Sequence, residues 1–330
     1  MKGLYSRITG TGFFVPSRVV GNAEIGDRLG VHADYIERVS GIQTRHWVAP
    51  GEDCSWLGEQ AARQALEQAG ILPDDLDAII VSTTSPDVMF PSTACLIQGR
   101  LGVKGMPAFD VSASCSGFLY ALSMADGCIR SGQYRRCLVV AAEVKSRALD
   151  LTDLSTAILF GDGAGAAVLE PSGDPGVGVV SIRLHADGAF HDLVKIFGGG
   201  SRRPLSHEVL EAGAHTLRVQ GSKIYRLAVR RLTQAVQAHV AEEHWAVQKL
   251  DHLIFHQANS RLMTQVCQAL GASAERCFSI IESLGNTSSA SLPIALAQAH
   301  RSQRLQPGHQ VLLGTFGGGL TWGTALLRWG

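Results

Sequence analysis

The sequence predicts an α/β protein made of two similar halves, and three observations carry that expectation. Short apolar runs alternate with helical patterns along the chain, as they do when helices pack on a sheet. Stretches of the two halves correspond at constant spacing. Leu76-Asp77-Ala78-Ile79-Ile80 resembles Leu250-Asp251-His252-Leu253-Ile254, an offset of 174 (251 − 77), and 114–122 lines up with 288–296 at the same offset. The chain is long and apolar enough for a sizeable core: 330 residues, 45% hydrophobic and 18% charged.

Taken in order, 57–69 reads as a helix, then Ala78-Ile79-Ile80-Val81 as an apolar strand. An apolar strand at Phe109-Asp110-Val111 leads into small residues and a helix over 116–130. Strands follow at Cys137-Leu138-Val139-Val140 and Ala167-Val168-Leu169. The turn-rich segment Pro171-Ser172-Gly173-Asp174-Pro175-Gly176 separates the halves, 1–171 and 172–330. The second half repeats the scheme, with helices at 222–241, 260–270 and 291–302. Its strands are Leu253-Ile254-Phe255, Val311-Leu312-Leu313 and Ala325-Leu326-Leu327.

Composition excludes several functions. The 29 Lys+Arg balance 29 Asp+Glu, which is too neutral for a generic nucleic-acid binder. No run reaches the ~18 apolar residues of a membrane span. Met1-Lys2-Gly3-Leu4-Tyr5-Ser6-Arg7 has no apolar core of a secretory signal, so a cytoplasmic protein is expected. The seven cysteines are odd in number and include no C-x-x-C. A disulfide framework or cysteine-rich zinc site is therefore not expected; six cysteines should be reduced packing residues and one reactive.

Four segments could carry chemistry. In Ser112-Ala113-Ser114-Cys115-Ser116-Gly117, Cys115 stands at the start of a helix, where the macrodipole favours the thiolate. In Phe255-His256-Gln257-Ala258-Asn259, His256 follows an apolar strand, whereas His239, His244 and His300 lie in contexts that a solvated role explains. In Gly285-Asn286-Thr287-Ser288, Asn286 sits near the repeat equivalent of Cys115, and its amide could donate to a developing oxyanion. In Phe316-Gly317-Gly318-Gly319, three glycines cost conformational entropy and suit backbone passing close to a ligand. The glycine-rich Phe160-Gly161-Asp162-Gly163-Ala164-Gly165 has no helix after it, so it reads as a structural turn rather than a phosphate loop.

Together these segments, with Ser40-Gly41-Ile42-Gln43-Thr44-Arg45-His46, Thr83-Thr84-Ser85, Phe90-Pro91-Ser92 and Gly199-Gly200-Ser201-Arg202-Arg203-Pro204, resemble the 3-oxoacyl-acyl-carrier-protein synthase III family of the thiolase superfamily over nearly the whole chain. The resemblance implies a duplicated five-layer α-β-α-β-α fold, normally a homodimer. It implies Cys115 as acyl-accepting nucleophile, with His256 and Asn286 on the malonyl thioester carbonyl. The N–H groups of Cys115 and Gly318 would form the oxyanion hole, and Phe90 would close the partner's acyl pocket. It implies no metal or resident cofactor, with coenzyme A or carrier-protein phosphopantetheine as the substrate arm. Tyr35 stands where the family's coenzyme A grip has tryptophan, and Val39, Gln43 and Leu154 where it has arginines. Acyl carrier protein is acidic, and Lys223, Arg226 and Arg230 share one helix face by spacing, with Arg261 at a matching basic position.

The expected reaction is a decarboxylating Claisen condensation that begins fatty-acid synthesis. The alternatives are a specialised condensing enzyme or acyltransferase of a secondary pathway with another acyl donor, and a non-catalytic partner subunit.

Overall fold

Two five-stranded sheets share one strand order. The structure, a computed structural model, describes residues 5–174 and 176–330. Residues 1–4 of the opening stretch and Pro175 of the predicted boundary lie outside these. The first half runs β1 (Tyr5–Phe14), β2 (Arg18–Gly21), α1 (Asn22–Leu29), α2 (Ala33–Ser40), β3 (Thr44–Trp47), α3 (Cys54–Ala69), β4 (Ala78–Ser82), α4 (Thr93–Leu101), β5 (Ala108–Val111), α5 (Gly117–Arg130), β6 (Cys137–Glu143), α6 (Leu154–Ala157) and β7 (Gly163–Ser172). The second runs β8 (Gly178–Ala186), β9 (Val194–Ile196), α7 (His207–Glu211), β10 (Leu217–Val219), α8 (Gly221–Glu242), β11 (His252–Phe255), α9 (Ser260–Ala269), β12 (Cys277–Phe278), α10 (Ile281–Leu284), α11 (Ser291–Arg301), β13 (Gln310–Gly317) and β14 (Thr321–Arg328).

The sheet orders are β1-β7-β6-β4-β5 and β8-β14-β13-β11-β12, which match position by position. β4 is parallel to β5 and β6, and β11 is parallel to β12 and β13. β7 and β14 run antiparallel to both of their neighbours. The offset of 174 recurs in the structure: β4 and β11 begin at 78 and 252, α5 and α11 at 117 and 291. Even the backbone singularities correspond, with Ser114 at φ 50° and Ser288 at φ 53°.

Layering follows from strand periodicity, since successive side chains face opposite sides of a sheet. Ala78 and Ile80 of β4 pack centrally, against α5 and α11, whereas Ile79 and Val81 pack outward with α3 and α4. In β13, Val311 and Leu313 join the same central core, while Leu312 packs outward with α8 and α9. Three stacked cores around two sheets make the five layers. β1 escaped the sequence reading because its Thr9-Gly10-Thr11-Gly12 lacks an apolar run. A Cβ at Gly10 or Gly12 would lie 2.1 Å from the Ala65 or Ala61 carbonyl oxygen of α3, so the glycines let that helix approach.

Several expectations are corrected. His239 is not solvated but 1% exposed. Its Nε2 lies 2.7 Å from Ser181 Oγ and its Nδ1 2.7 Å from Thr324 Oγ1. Burial, with Arg183 nearby, lowers its pKa to about 4. His300 is half-buried, with Nδ1 3.2 Å from Thr11 Oγ1. The cysteines are not all free packing residues: Cys267 of α9 and Cys277 of β12 form a disulfide, because the chain leaving α9 returns to pair β12 alongside β11. Cys95 is exposed, while Cys54 and Cys137 are buried as expected.

Candidate active site

The ends of equivalent strands bring the predicted residues to one cavity. After β5 the chain passes through a single 3-10 turn, Ser114–Ser116, into α5. The left-handed Ser114, sterically costly for a non-glycine residue, carries Cys115 onto the N-terminal end of α5. The matching turn of the second half, Ser288–Ala290, meets it: Cys115 Sγ lies 3.6 Å from Ser288 Oγ. His256 directly follows β11, its N–H donating to the Gly314 carbonyl at 2.8 Å. Asn286 is pinned by backbone bonds on both sides, to the Leu159 carbonyl at 2.9 Å and from the Gly161 N–H at 3.1 Å. That segment is in turn held by buried Arg45, which donates to the Ile158 carbonyl at 2.6 Å and to Asn22 Oδ1 at 2.7 Å. The cavity measures about 990 Å³ and is lined by Cys115, His256, Asn286 and the Gly317-Gly318-Gly319 turn.

Hydrogen bonds fix which atoms face the cavity. Asn286 Oδ1 accepts the Ser288 N–H at 2.9 Å, so the amide group left for a ligand is the Nδ2 donor. Ser291 Oγ accepts the Gln257 N–H at 3.1 Å and stands 2.6 Å from His256 Nδ1. Its hydroxyl hydrogen has no other acceptor among the described residues, so in the neutral ring it goes to Nδ1 and the ring hydrogen sits on Nε2. When the ring is protonated, the same oxygen accepts from Nδ1–H. The Cys115 N–H has no acceptor among the described residues. The Gly318 N–H donates to Ser114 Oγ at 3.2 Å, a bond that an acyl oxygen would have to displace. A Cβ on Gly317 would lie 2.7 Å from Cys115 N, so the first of the three glycines makes room for the cysteine backbone.

A charged network lies behind the thiol. Glu143, fully buried at the end of β6, accepts from Ser289 Oγ at 2.8 Å and Ser85 Oγ at 2.5 Å; Ser288 Oγ lies 3.1 Å away, and its one hydroxyl hydrogen goes either to this carboxylate or, when the thiolate forms, to the Cys115 sulfur. Lys145 Nζ pairs with Glu143 at 2.9 Å. Burial alone would raise the Glu143 pKa, but Lys145 and these donors outweigh it and hold the group ionised. Cys115 behaves likewise: burial would raise its pKa, yet His256, Ser288 and Lys145 bring it below the ordinary thiol value. Alkylation of Cys115 by iodoacetamide, followed against pH, should therefore show a midpoint below that of a free thiol. Ser288→Ala should move that midpoint upward, because a donor to the thiolate is lost; an unchanged midpoint would remove Ser288 from this role.

Comparison with known proteins shows the family. Family models described as 3-oxoacyl-[acyl-carrier-protein (ACP)] synthase III and as its C-terminal part match residues 109–188 and 240–329. A beta-ketoacyl-[acyl-carrier-protein] synthase III of Methylococcus capsulatus is 45% identical over 98% of this chain and 99% of its own. The chain belongs to the 3-oxoacyl-[acyl-carrier-protein] synthase III family. Among solved structures, the synthase III of Aquifex aeolicus superposes with TM-score 0.91 at 36% identity, over 98% of this chain and 100% of that one. The priming beta-ketosynthase of the R1128 polyketide pathway does so at 0.91 and 33%, over 99% and 97%. The thiolase-like duplicated fold is thereby shown.

Residues expected from the family resemblance outside the cavity centre are placed as follows. Val39 lines the cavity, whereas Gln43 donates to Glu37 at 2.9 Å and Tyr35 lies under the Arg38 guanidinium, 5.7 Å from the ring centre. Arg226 and Arg261 line its mouth. Lys223, Arg226 and Arg230 flank an adjoining groove floored by Phe190, Leu193 and Leu227. None of these four cations has a carboxylate partner among the described residues. Phe90, 85% exposed beside Met89 at 86%, does not line the cavity of its own chain.

Ser288, Ser291, Glu143 and Lys145 were not singled out from the sequence. Ser288 and Ser291 read as ordinary turn and cap residues. The signal for the other two was present: charged Glu143 ends an otherwise wholly apolar strand, Cys137–Glu143, and Lys145 follows two residues on.

Proposed function

We propose that this protein catalyses the decarboxylating condensation of an acyl thioester with malonyl-[acyl-carrier protein], giving a 3-oxoacyl-[acyl-carrier protein] and starting fatty-acid synthesis. The observation that carries the reading is the convergence of Cys115, His256 and Asn286, drawn from both halves of the chain, on one cavity with their donors facing it. The halves, 1–171 and 172–330, then divide the labour: one supplies the nucleophile, the other the malonyl site.

The Cys115 thiolate attacks the acyl thioester carbonyl; its electron pair forms the new S–C bond and the donor's thiolate leaves with the pair of the old one. A soft, low-pKa thiolate suits both attack and departure. The Cys115 N–H and, once Ser114 yields, the Gly318 N–H receive the oxyanion. The malonyl thioester then loses carbon dioxide. The pair of the broken C–C bond becomes an enolate whose oxygen is held by His256 Nε2–H and Asn286 Nδ2–H. The enolate carbon attacks the acyl-Cys115 carbonyl, and the thiolate is released. No strong base is needed, because decarboxylation itself generates the nucleophile.

The acidic carrier protein docks on Lys223, Arg226, Arg230 and Arg261, whose charges are free to meet it. Arg261→Glu should raise the KM for malonyl carrier protein about 10-fold, the scale of losing and reversing one interfacial charge. Its acylation by a small thioester should persist; equal damage to both would remove Arg261 from docking. A homodimer, with Phe90 and Met89 covered by the partner, accounts for two large apolar side chains left in water. No described helix is long and apolar enough to cross a membrane, which accords with the cytoplasmic reading. Neither step calls for a metal or resident cofactor, and coenzyme A or carrier-protein phosphopantetheine serves as substrate arm. Tyr35, beside the Arg38 guanidinium, offers an aromatic face for such an arm. The sites are tested by intact-mass analysis: an acyl adduct must form on Cys115 and vanish when malonyl carrier protein is added.

A further inference from the structure

The condensation accounts for Cys115, His256 and Asn286, and the charge of Lys145 helps to poise the thiol, but neither accounts for the opening of this ammonium onto the cavity. This side chain lines the same cavity, together with Thr84 and Ser112, although the residue is only 6% exposed. Burying an ammonium is expensive unless it is paired, and Lys145 is paired: with Glu143 at 2.9 Å and with Thr84 Oγ1. An ammonium has three hydrogens. Two are taken, and no third acceptor is present among the described residues, so one N–H is left where the cavity is. Lys145 is linked to the thiol through Glu143 and Ser288, and this donor and Cys115 line one cavity.

We propose that Lys145 is a specificity-determining residue that hydrogen-bonds a neutral oxygen, hydroxyl or keto, on the chain of the acyl group carried by Cys115. The proposal rests on the acyl-Cys115 reading above and adds the class of acyl group. A purely alkyl chain would leave the third N–H buried without a partner, a cost that an oxygen removes. The oxygen is neutral because Glu143 already balances the ammonium. A carboxylate on the acyl chain would add an uncompensated anion to a buried site. The bond is charge-assisted and stronger than one between neutral groups.

The test uses the full-length protein and N-acetylcysteamine thioesters, which bypass the coenzyme A contacts. Rates of adduct formation on Cys115 are read by intact mass for butyryl, 3-hydroxybutyryl, acetoacetyl and succinyl donors. The expected result is that the 3-hydroxybutyryl or acetoacetyl donor acylates about 10-fold or more faster than butyryl, the scale of one hydrogen bond to a charged group. Lys145→Met should bring that ratio to one or below. Because this variant leaves Glu143 buried and unpaired, the ratio is measured also in the double variant Lys145→Met/Glu143→Gln, where no such charge remains. Equal rates in the wild type, a ratio that both variants leave unchanged, or fastest acylation by succinyl would overturn the proposal while leaving the condensation reading intact. Absence of an adduct with every donor would overturn both.

Discussion

Cys115→Ala should gain no mass from any acyl thioester, and its condensation rate should fall by roughly 10⁴–10⁶-fold, the scale at which loss of a covalent nucleophile registers. The same variant should still release carbon dioxide from malonyl carrier protein, because His256 Nε2–H and Asn286 Nδ2–H are positioned independently of the thiol, by Ser291 and by the Ser288 N–H. Radiometric carbon dioxide release and intact mass together make the check. Loss of both activities would mean that the decarboxylating pair depends on the thiol, and retention of acylation would place the nucleophile elsewhere. Cys54 is a poor substitute: it is fully buried, and burial pushes its thiol well above the usual range.

Asn286→Ala should do the reverse. The enolate oxygen loses one of two donors, and removal of a donor aimed at developing charge costs about 100–1000-fold. Decarboxylation and condensation should fall by that factor, while Cys115 still accepts an acyl group. The side chain's own anchor sharpens the test. Asn286→Asp keeps the acceptor that holds the Ser288 N–H but replaces the Nδ2 donor with a second oxygen. It should therefore retain the loop and lose the reaction. If Asn286→Asp were as active as the wild type, Asn286 would be a structural residue and the donor to the enolate would be His256 alone.

The sequence made the fold legible where periodicity and burial agree. β4, β6, β11, β13 and β14 are covered on both faces, so each contains a short unbroken apolar run. α3, α5, α8, α9 and α11 carry apolar stripes at helical spacing. The strand β1 was illegible, since close approach of α3 requires the glycines that dilute its pattern. His239 was misread for a related reason. It belongs to a polar stretch of α8, but its ring points inward to Ser181 and Thr324, partners from β8 and β14 that no local pattern reveals. The Cys267–Cys277 bridge depends on β12 pairing beside β11, again a long-range event.

By itself the sequence determined the duplication and the family and singled out Cys115, His256 and Asn286 as the candidate site, because these rest on residue types in a fixed order and register. Tertiary structure decided what those atoms can do. The ring hydrogen of His256 and the amide orientation of Asn286 follow from Ser291 and from the Ser288 N–H. The poise of the thiol follows from His256, Ser288 and Lys145, joined across two halves of the chain. Spacing along a chain encodes which elements form and which faces they bury. A proton's position or an ionisation state depends on fields and donors within a few ångströms, and only folding brings Lys145, Glu143 and Ser288 together behind Cys115.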